Sequence, residues 1–289
     1  MFGIINVYKE KDMTSFDVIA KLRKILNESK IGHTGTLDPN ATGVLPIAIG
    51  KATKLIQYIK NEDKQYFVTM KLGIKTDTLD ITGKVLKEKK PPKFQLDKIE
   101  EVINSFIGKS EQIPPMYSAK KQNGKKMYQL ARLGLEIERQ PCKIEIYKIQ
   151  DVKYNTEEDI ITFLVDCSKG TYIRTLCEDI AQKLGTIATV LELERTRAGI
   201  FEKEKSYTLD EIKDLVENNE IQKVIYDNEL IFSDYTKYII NNVDMERFLN
   251  GVKLETKFKD GIYKLYNENN LFIGFGKVED KKIKRDLII

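Results

Sequence analysis

Histidine occurs once in the 289 residues, as His33, and cysteine three times, as Cys142, Cys167 and Cys177. A single histidine excludes the metal motifs that need two. Cysteines that are odd in number and lack CxxC spacing argue against a structural zinc. They point to reduced thiols in a cytoplasmic chain. No apolar run approaches the roughly 18 residues a membrane span needs, and no signal peptide opens the chain. A phosphate loop is missing too, because no lysine follows Gly43 as GxxxxGK[ST] requires. Charge of one sign is not in large excess. The net value is +4, which by itself implies no nucleic-acid partner. With 41% hydrophobic and 32% charged residues the chain is globular and not disordered. Its length allows one large domain and a small one.

What is present centres on the stretch from Gly32 to Pro46. It holds three glycines, two prolines and four small polar residues, so it reads as a loop rather than a helix or paired strand. It contains His33 and, in front of Pro39, Asp38. A residue before proline is pushed into extended backbone, so Asp38 is expected on a stiff stretch with its carboxylate held outward and not folded into a turn. Loops fixed at both ends by regular elements often carry catalytic groups. A turn former or helix cap is the other reading of Asp38.

The charge is unevenly spread. Residues 117–143 carry seven Lys/Arg against two Glu, whereas residues 200–234 carry ten acids against four lysines. Such asymmetry suggests a basic surface for phosphates with an acidic segment facing elsewhere, although a lysine-rich solvated surface would look the same.

Along the chain, residues 3–9 read as a strand ending at Lys9. A capping box at Thr14 and Asp17 opens an amphipathic helix over about 15–27. A second helix is expected after Gly50, with Ala52, Leu55, Ile56 and Ile59 on one face. Tyr66 heads a strand in which Val68, Met70 and Leu72 face the core. Asp77 and Asp80 are rival carboxylates, but nothing fixes them as Pro39 fixes Asp38, and they read as loop residues. Residues 87–93 read as a charged linker. A helix over about 95–107 should turn Leu96, Ile99, Val102, Ile103 and Phe106 inward. Strands follow at 144–152 and 160–167, paired across a polar turn. Arg174 falls at a strand-to-helix junction, and 190–201 forms another strand with Leu191 and Leu193 apolar and Arg195 and Arg197 cationic. A helix over about 208–218 leads to a break near 232–234. The last 55 residues, with Phe248-Leu249 among them, read as short strands separated by Gly/Asn turns, either a small all-β unit or an extension of the main sheet.

Between Pro114 and Pro141 aromatics interleave with cations: Tyr117, Lys120, Lys121, Lys125, Lys126, Tyr128 and Arg132. Phosphate-neutralising charge beside stacking rings suits an RNA-contacting insertion. Met127, Leu130 and Leu133 allow an amphipathic helix docked on the core, and both can hold together.

The run GHTGTLDPNATGVLPIAIGKATK (residues 32–54) resembles the catalytic motif of the TruB-type RNA pseudouridine synthases. Further blocks fit the same family in the same order: Lys9, Lys64-Gln65-Tyr66, IPPMYSA (113–119) and CSKGTYIR (167–174). Glu10 follows Lys9 where the family usually has proline. The resemblance implies an α+β fold, with a mixed, mostly antiparallel central sheet flanked by helices. Residues 1–232 would form the catalytic domain, with 114–141 as a thumb-like RNA-binding insertion, and 233–289 a small all-β PUA-like domain. It implies that uridine 55 in the T loop of tRNA is extruded and isomerised, with Asp38 as nucleophile and Arg174 as a bidentate partner that holds it ionised. Tyr66 would stack on the base, Tyr172 would contact the base or Arg174, and Leu193 would form an apolar wall. His33 would fill the space the base leaves, Lys9 would support the loops, and Lys125 and Lys126 would meet phosphate. This chemistry needs no redox cofactor, nucleotide or metal, and the expected chain is a monomer with tRNA (T stem-loop) as partner and no membrane. A guide-RNA-dependent synthase of the dyskerin kind and a non-catalytic RNA-binding or chaperone module remain the alternatives.

Overall fold

The computed structural model describes residues 2–60, 62–118, 121–122, 125–127, 131 and 138–289, with 121, 122, 125 and 126 described as backbone only. In chain order, β1 (Gly3–Lys9) leads to α1 (Ser15–Ile25), then β2 (Ile31–His33) and β3 (Thr42–Ile49). Next come β4 (Lys64–Leu72), β5 (Ile74–Thr76), β6 (Val85–Glu88), α2 (Leu96–Asn104) and β7 (Gly108–Gln112). Two short strands, β8 (Lys121–Gln122) and β9 (Lys125–Lys126), pair with each other. Then follow β10 (Cys142–Asn155), β11 (Ile160–Cys167), α3 (Ile173–Lys183), β12 (Ala188–Ala198), β13 (Phe201–Glu202) and α4 (Leu209–Glu217). The C-terminal part contains β14 (Lys237–Ile240), α5 (Asn242–Leu249), β15 (Leu254–Glu255), β16 (Gly261–Asn267), β17 (Phe272–Glu279) and β18 (Lys282–Ile288).

The main sheet runs in the order β1-β3-β12-β4-β11-β10-β7, with β2 on β3 and β13 on β12. All its ladders are antiparallel except β3 with β12, where Thr42 and Gly43 face Glu194 and Arg195 in parallel. This is the mixed, mostly antiparallel sheet that was expected. Gly43 has φ +103°, and a Cβ on it would lie 2.2 Å from the Arg195 carbonyl oxygen, so only glycine lets the two strands meet there.

Side-chain alternation divides two cores. Ile5 and Val7 of β1 and Leu45, Ile47 and Ile49 of β3 face the helices, joining Val18, Ile19 and Leu22 of α1, Ile99 and Ile103 of α2, and Ile180 of α3. Their neighbours Ile4, Val44 and Ala48 face the other way, against Tyr58, Phe201, Phe232 and Phe275. β3 is buried on both faces, which is why it reads as a continuous apolar run rather than an alternation.

Three expectations change. The segment after Gly50 is not an α-helix but two 3₁₀ turns, Gly50–Lys54 and Ile56–Tyr58. Side chains three apart eclipse in that geometry, which puts Ala52, Leu55 and Tyr58 together in the second core. Leu96 is 41% exposed rather than inward, because it sits at the first position of α2 while Ile99, Val102 and Ile103 carry the burial. Phe248 and Leu249 belong to α5 and not to a strand. Asn241 caps that helix by accepting from the Asp244 N–H at 2.7 Å, and Phe248 is fully buried beneath it. The C-terminal sheet itself has five strands in the order β14-β16-β17-β18-β15.

Candidate active site

The glycine-rich stretch, expected as loop throughout, is loop only over residues 34–41. Gly32 and His33 pair in β2 and residues 42–46 in β3, because their backbone groups complete the sheet with β1. Ser15, the first residue of α1, clamps the loop at Leu37, where its Oγ donates to the carbonyl at 3.1 Å and accepts from the N–H at 2.9 Å. Pro39 is held next, its carbonyl accepting from the Asp12 N–H at 3.0 Å and the Lys9 ammonium at 3.1 Å. The Ala41 N–H donates to the Asp38 carbonyl at 3.1 Å, so Asp38 opens a four-residue turn with proline at its second position. The expectation of an unturned Asp38 backbone is therefore corrected. The carboxylate nevertheless takes no part in the turn and points into a cleft.

That cleft encloses about 240 Å³ and is lined by residues 35–38, Lys64, Tyr66, Ser118, residues 170–174 and Leu193. Arg174 lies at its floor, 6% exposed, at the start of α3. Gln112 fixes the backbone there, accepting from the Tyr172 N–H at 2.8 Å and donating to the Tyr172 carbonyl at 3.0 Å. One guanidinium nitrogen contacts the Asp38 carboxylate at 2.9 Å and the Tyr117 carbonyl at 2.8 Å. The other donates to the Thr78 carbonyl at 2.7 Å and lies 3.6 Å from the Asp80 carboxylate.

Arg174 is thus shared between two carboxylates, and the expected bidentate pairing with Asp38 does not form. Asp80 was read as a plain loop residue, but it is buried. One of its oxygens accepts from the Thr78 hydroxyl at 2.9 Å, the Thr82 N–H at 3.0 Å and the Thr82 hydroxyl at 2.5 Å. Threonines two residues to either side of an aspartate were the sequence signal for such a cage.

The Asp38 side chain keeps 38% exposure toward the cleft, while protein surrounds it on every other side. Burial pushes its pKa above the ordinary carboxylate value and Asp80 adds to the rise; the Arg174 guanidinium and, more weakly, Lys9 oppose it. Burial outweighs the cation, so Arg174 aims the carboxylate while the net pKa stays raised.

Tyr66 is buried on β4, opposite Arg195 of β12. Burial raises its phenol to about 12, against the lowering effect of the hydrogen-bonded Arg195, so the hydroxyl stays protonated in any physiological buffer. Arg195 was noted as a cation of the strand but not as part of the site. It is fully buried and donates to the Val44 carbonyl at 2.7 Å and the Gly35 carbonyl at 3.2 Å, stitching the Asp38 loop to the sheet. A cation in an otherwise core-facing strand was its only signal.

Among the expected residues, Asp38, Tyr66, Arg174, Tyr172 and Leu193 converge on the cleft. Lys9 does not line it. It is fully buried and donates to the carbonyls of Glu10 (2.8 Å), Met13 (2.7 Å) and Pro39 (3.1 Å), so it supports the loop from behind and cannot touch a substrate. Burial, only partly offset by Asp38, lowers its pKa to about 8. His33 sits at the end of β2, off the cleft lining, with its pKa lowered by burial and by Arg195. Lys125 and Lys126 form the short strand β9, their side chains lying outside the described residues, as do Lys120, Tyr128 and Arg132. The ends of that insertion are tied where Arg139 donates to the Pro114 carbonyl at 3.1 Å. Among the described residues no cluster of His, Cys, Asp and Glu could hold a metal ion, and no helix is long and apolar enough to cross a membrane.

Residues 23–173 match the family described as TruB family pseudouridylate synthase (N terminal domain), and residues 174–234 match the tRNA pseudouridylate synthase B C-terminal domain. The chain is 42% identical to the tRNA pseudouridine synthase B of Clostridium perfringens over 297 aligned positions, covering 100% of this chain and 99% of that protein. It is 47% identical to the protein of the same name from Clostridium tetani, covering 96% of each. Among solved structures, Cbf5 in a Cbf5-Nop10-Gar1 complex superposes with a TM-score of 0.73 at 27% identity, over 99% of this chain and 84% of that one. On sequence along its whole length and on fold, the chain belongs to the TruB family of pseudouridine synthases.

Proposed function

We propose that this chain isomerises uridine 55 in the T loop of tRNA to pseudouridine, acting alone and through Asp38. The observation that carries the reading is the Asp38 carboxylate held 2.9 Å from Arg174 at the floor of a narrow cleft. In this reaction the C1′–N1 glycosidic bond breaks, the uracil turns, and a C1′–C5 bond forms. N1 gains a proton and C5 loses one, so no electrons are exchanged. A carboxylate nucleophile suffices, provided it is ionised and aimed.

Asp38 attacks, and Arg174 and Asp80 fix its direction. Tyr66 stacks on the uracil and Leu193 walls the other side. A cleft of this size takes one nucleotide and no duplex, so the target uridine must leave the folded loop and enter alone. The insertion at 114–141, with Lys125 and Lys126, meets the stem phosphates. Residues 1–232 act as the catalytic domain and 233–289 as a second, PUA-like RNA-contacting domain. The chain works as a monomer in the cytoplasm, where tRNA is made.

Purified chain with an unmodified T-arm transcript tests this. Pseudouridine at position 55 without any other protein or RNA is the expected result. The likeness to Cbf5, found in a complex with two other proteins, keeps a guide-dependent enzyme as the second reading. Turnover only after a guide RNA and partners are added would favour that one.

A further inference from the structure

Among the described residues four cations lie in or behind the walls of the cleft, and three of them are fully engaged. Arg174 is taken up by Asp38, Asp80 and two carbonyls. Arg195 is sealed in the core on backbone carbonyls, and Lys9 on three of them. Lys64 is different. It is half-buried at the head of β4 and lines the cleft. Its ammonium donates to one group, the Glu62 carbonyl at 2.8 Å, and among the described residues it makes no salt bridge.

Its surroundings are of the wrong sign for a resting lysine. Burial first, and then Arg195 and Lys169 as like charges, outweigh the attraction of Glu62 and hold its pKa below the ordinary lysine value. The Glu62 carboxylate that could relieve it is instead paired with Lys169. The stem passes beside Gly35, where a Cβ would lie 3.6 Å from Lys64 Cε, an ordinary contact. A crowded ammonium with unspent donors at the wall of a cleft is completed by an anion. The nucleotide expected there brings one in its backbone.

We infer that Lys64 is the phosphate-binding group of the active site, gripping the backbone phosphate next to the extruded uridine while the uracil lies between Tyr66 and Leu193. The inference rests on the uridine-isomerising reading and adds to it a distinct task. Asp38, Arg174 and Tyr66 hold and convert the base, whereas Lys64 holds the strand so that the base stays out of its stack.

The test is the salt dependence of Kd and of kcat/KM on a T-arm transcript, between about 50 and 200 mM KCl. It compares the wild-type chain with Lys64→Arg, Lys64→Met and Lys64→Gln. Loss of one phosphate contact is expected to lower kcat/KM about 10- to 100-fold at low salt. It should also make the log–log salt slope shallower by about 0.7–0.9 for Met and Gln. Arg keeps the wild-type slope. A Met or Gln variant that binds more weakly yet keeps the full slope, or an Arg variant that loses it, overturns the inference. A wild-type chain that binds the transcript but leaves its uridine unchanged contradicts the isomerase reading instead, and the slope of Kd then still decides what Lys64 does.

Discussion

Two titrating side chains bracket the chemistry, and their pKa shifts run in opposite directions. In the proposed mechanism Asp38 must be ionised to attack, but burial raises its pKa. Lys9 must stay charged to grip three carbonyls, but burial lowers its pKa to about 8. The pH profile of kcat/KM should therefore show an acid limb above the usual carboxylate range and an alkaline limb near pH 8. A profile flat to pH 10 would remove Lys9 from this account. The stability effects have their own signs. Between the ordinary and the raised pKa of Asp38 the native state binds more protons than the unfolded chain, so stability falls as pH rises through that window. Above it the full cost of the buried charge is present. Asp38→Asn should abolish isomerisation and keep RNA binding. Its melting temperature at pH 7 should be no lower than wild type, with the difference shrinking toward pH 4. An Asn variant clearly less stable at pH 7 would show that the Arg174 contact outweighs burial. Lys9 works the other way: between about pH 8 and 10.5 the unfolded chain holds a proton the native state has lost, so this group adds stability as pH rises. Alkaline loss of activity should thus arrive without unfolding.

At the scale of the element, the loop between β2 and β3 is rigid because of what fastens it, not because of its own composition. Ser15, Lys9 and Arg195 come from α1, β1 and β12, and each holds a backbone group of the loop. Two glycines in the region should respond differently to a methyl group. Gly43→Ala forces a side chain into a positive-φ position against β12, and should cost well over about 1 kcal/mol and most of the turnover. Gly35→Ala meets only ordinary contacts at 3.6 and 3.7 Å and should fold normally. Thermal melts of the pair distinguish a fitted crossing from a generally glycine-dependent loop. Much of this was legible in the sequence. Period-two burial placed Tyr66 in a strand, Thr14 and Asp17 marked the start of α1, and Asp38 stood out through Pro39. What escaped were the long-range contacts that the family resemblance did not supply. Asp80 lies 94 residues from Arg174, and Arg195 reaches Gly35 across 160 residues. No local pattern encodes those meetings.

On the scale of the whole molecule, the C-terminal sheet is not a loose appendage. Phe275 of β17 stacks on Tyr58 with ring centroids 3.9 Å apart, and the Tyr58 hydroxyl donates to Asp286 at 2.9 Å. Phe232 and Tyr235 close the same cluster edge-on. Phe275→Ala should cost about 3–5 kcal/mol and lower one common unfolding transition, monitored by calorimetry. Two separated transitions would mean that the parts fold independently.

The parallel meeting of β3 with β12 also bears on synthesis at the ribosome. The proposed nucleophile leaves the exit tunnel early, but both guanidinium groups that steady it and its loop are made more than a hundred residues later, and Thr42 and Gly43 of β3 lack their partner strand until β12 arrives. A nascent chain stalled before residue 174 would carry the Asp38 carboxylate on a loop fastened by Ser15 and Lys9 but by neither guanidinium. No partial product of translation should modify RNA, and competence should appear abruptly, late in elongation.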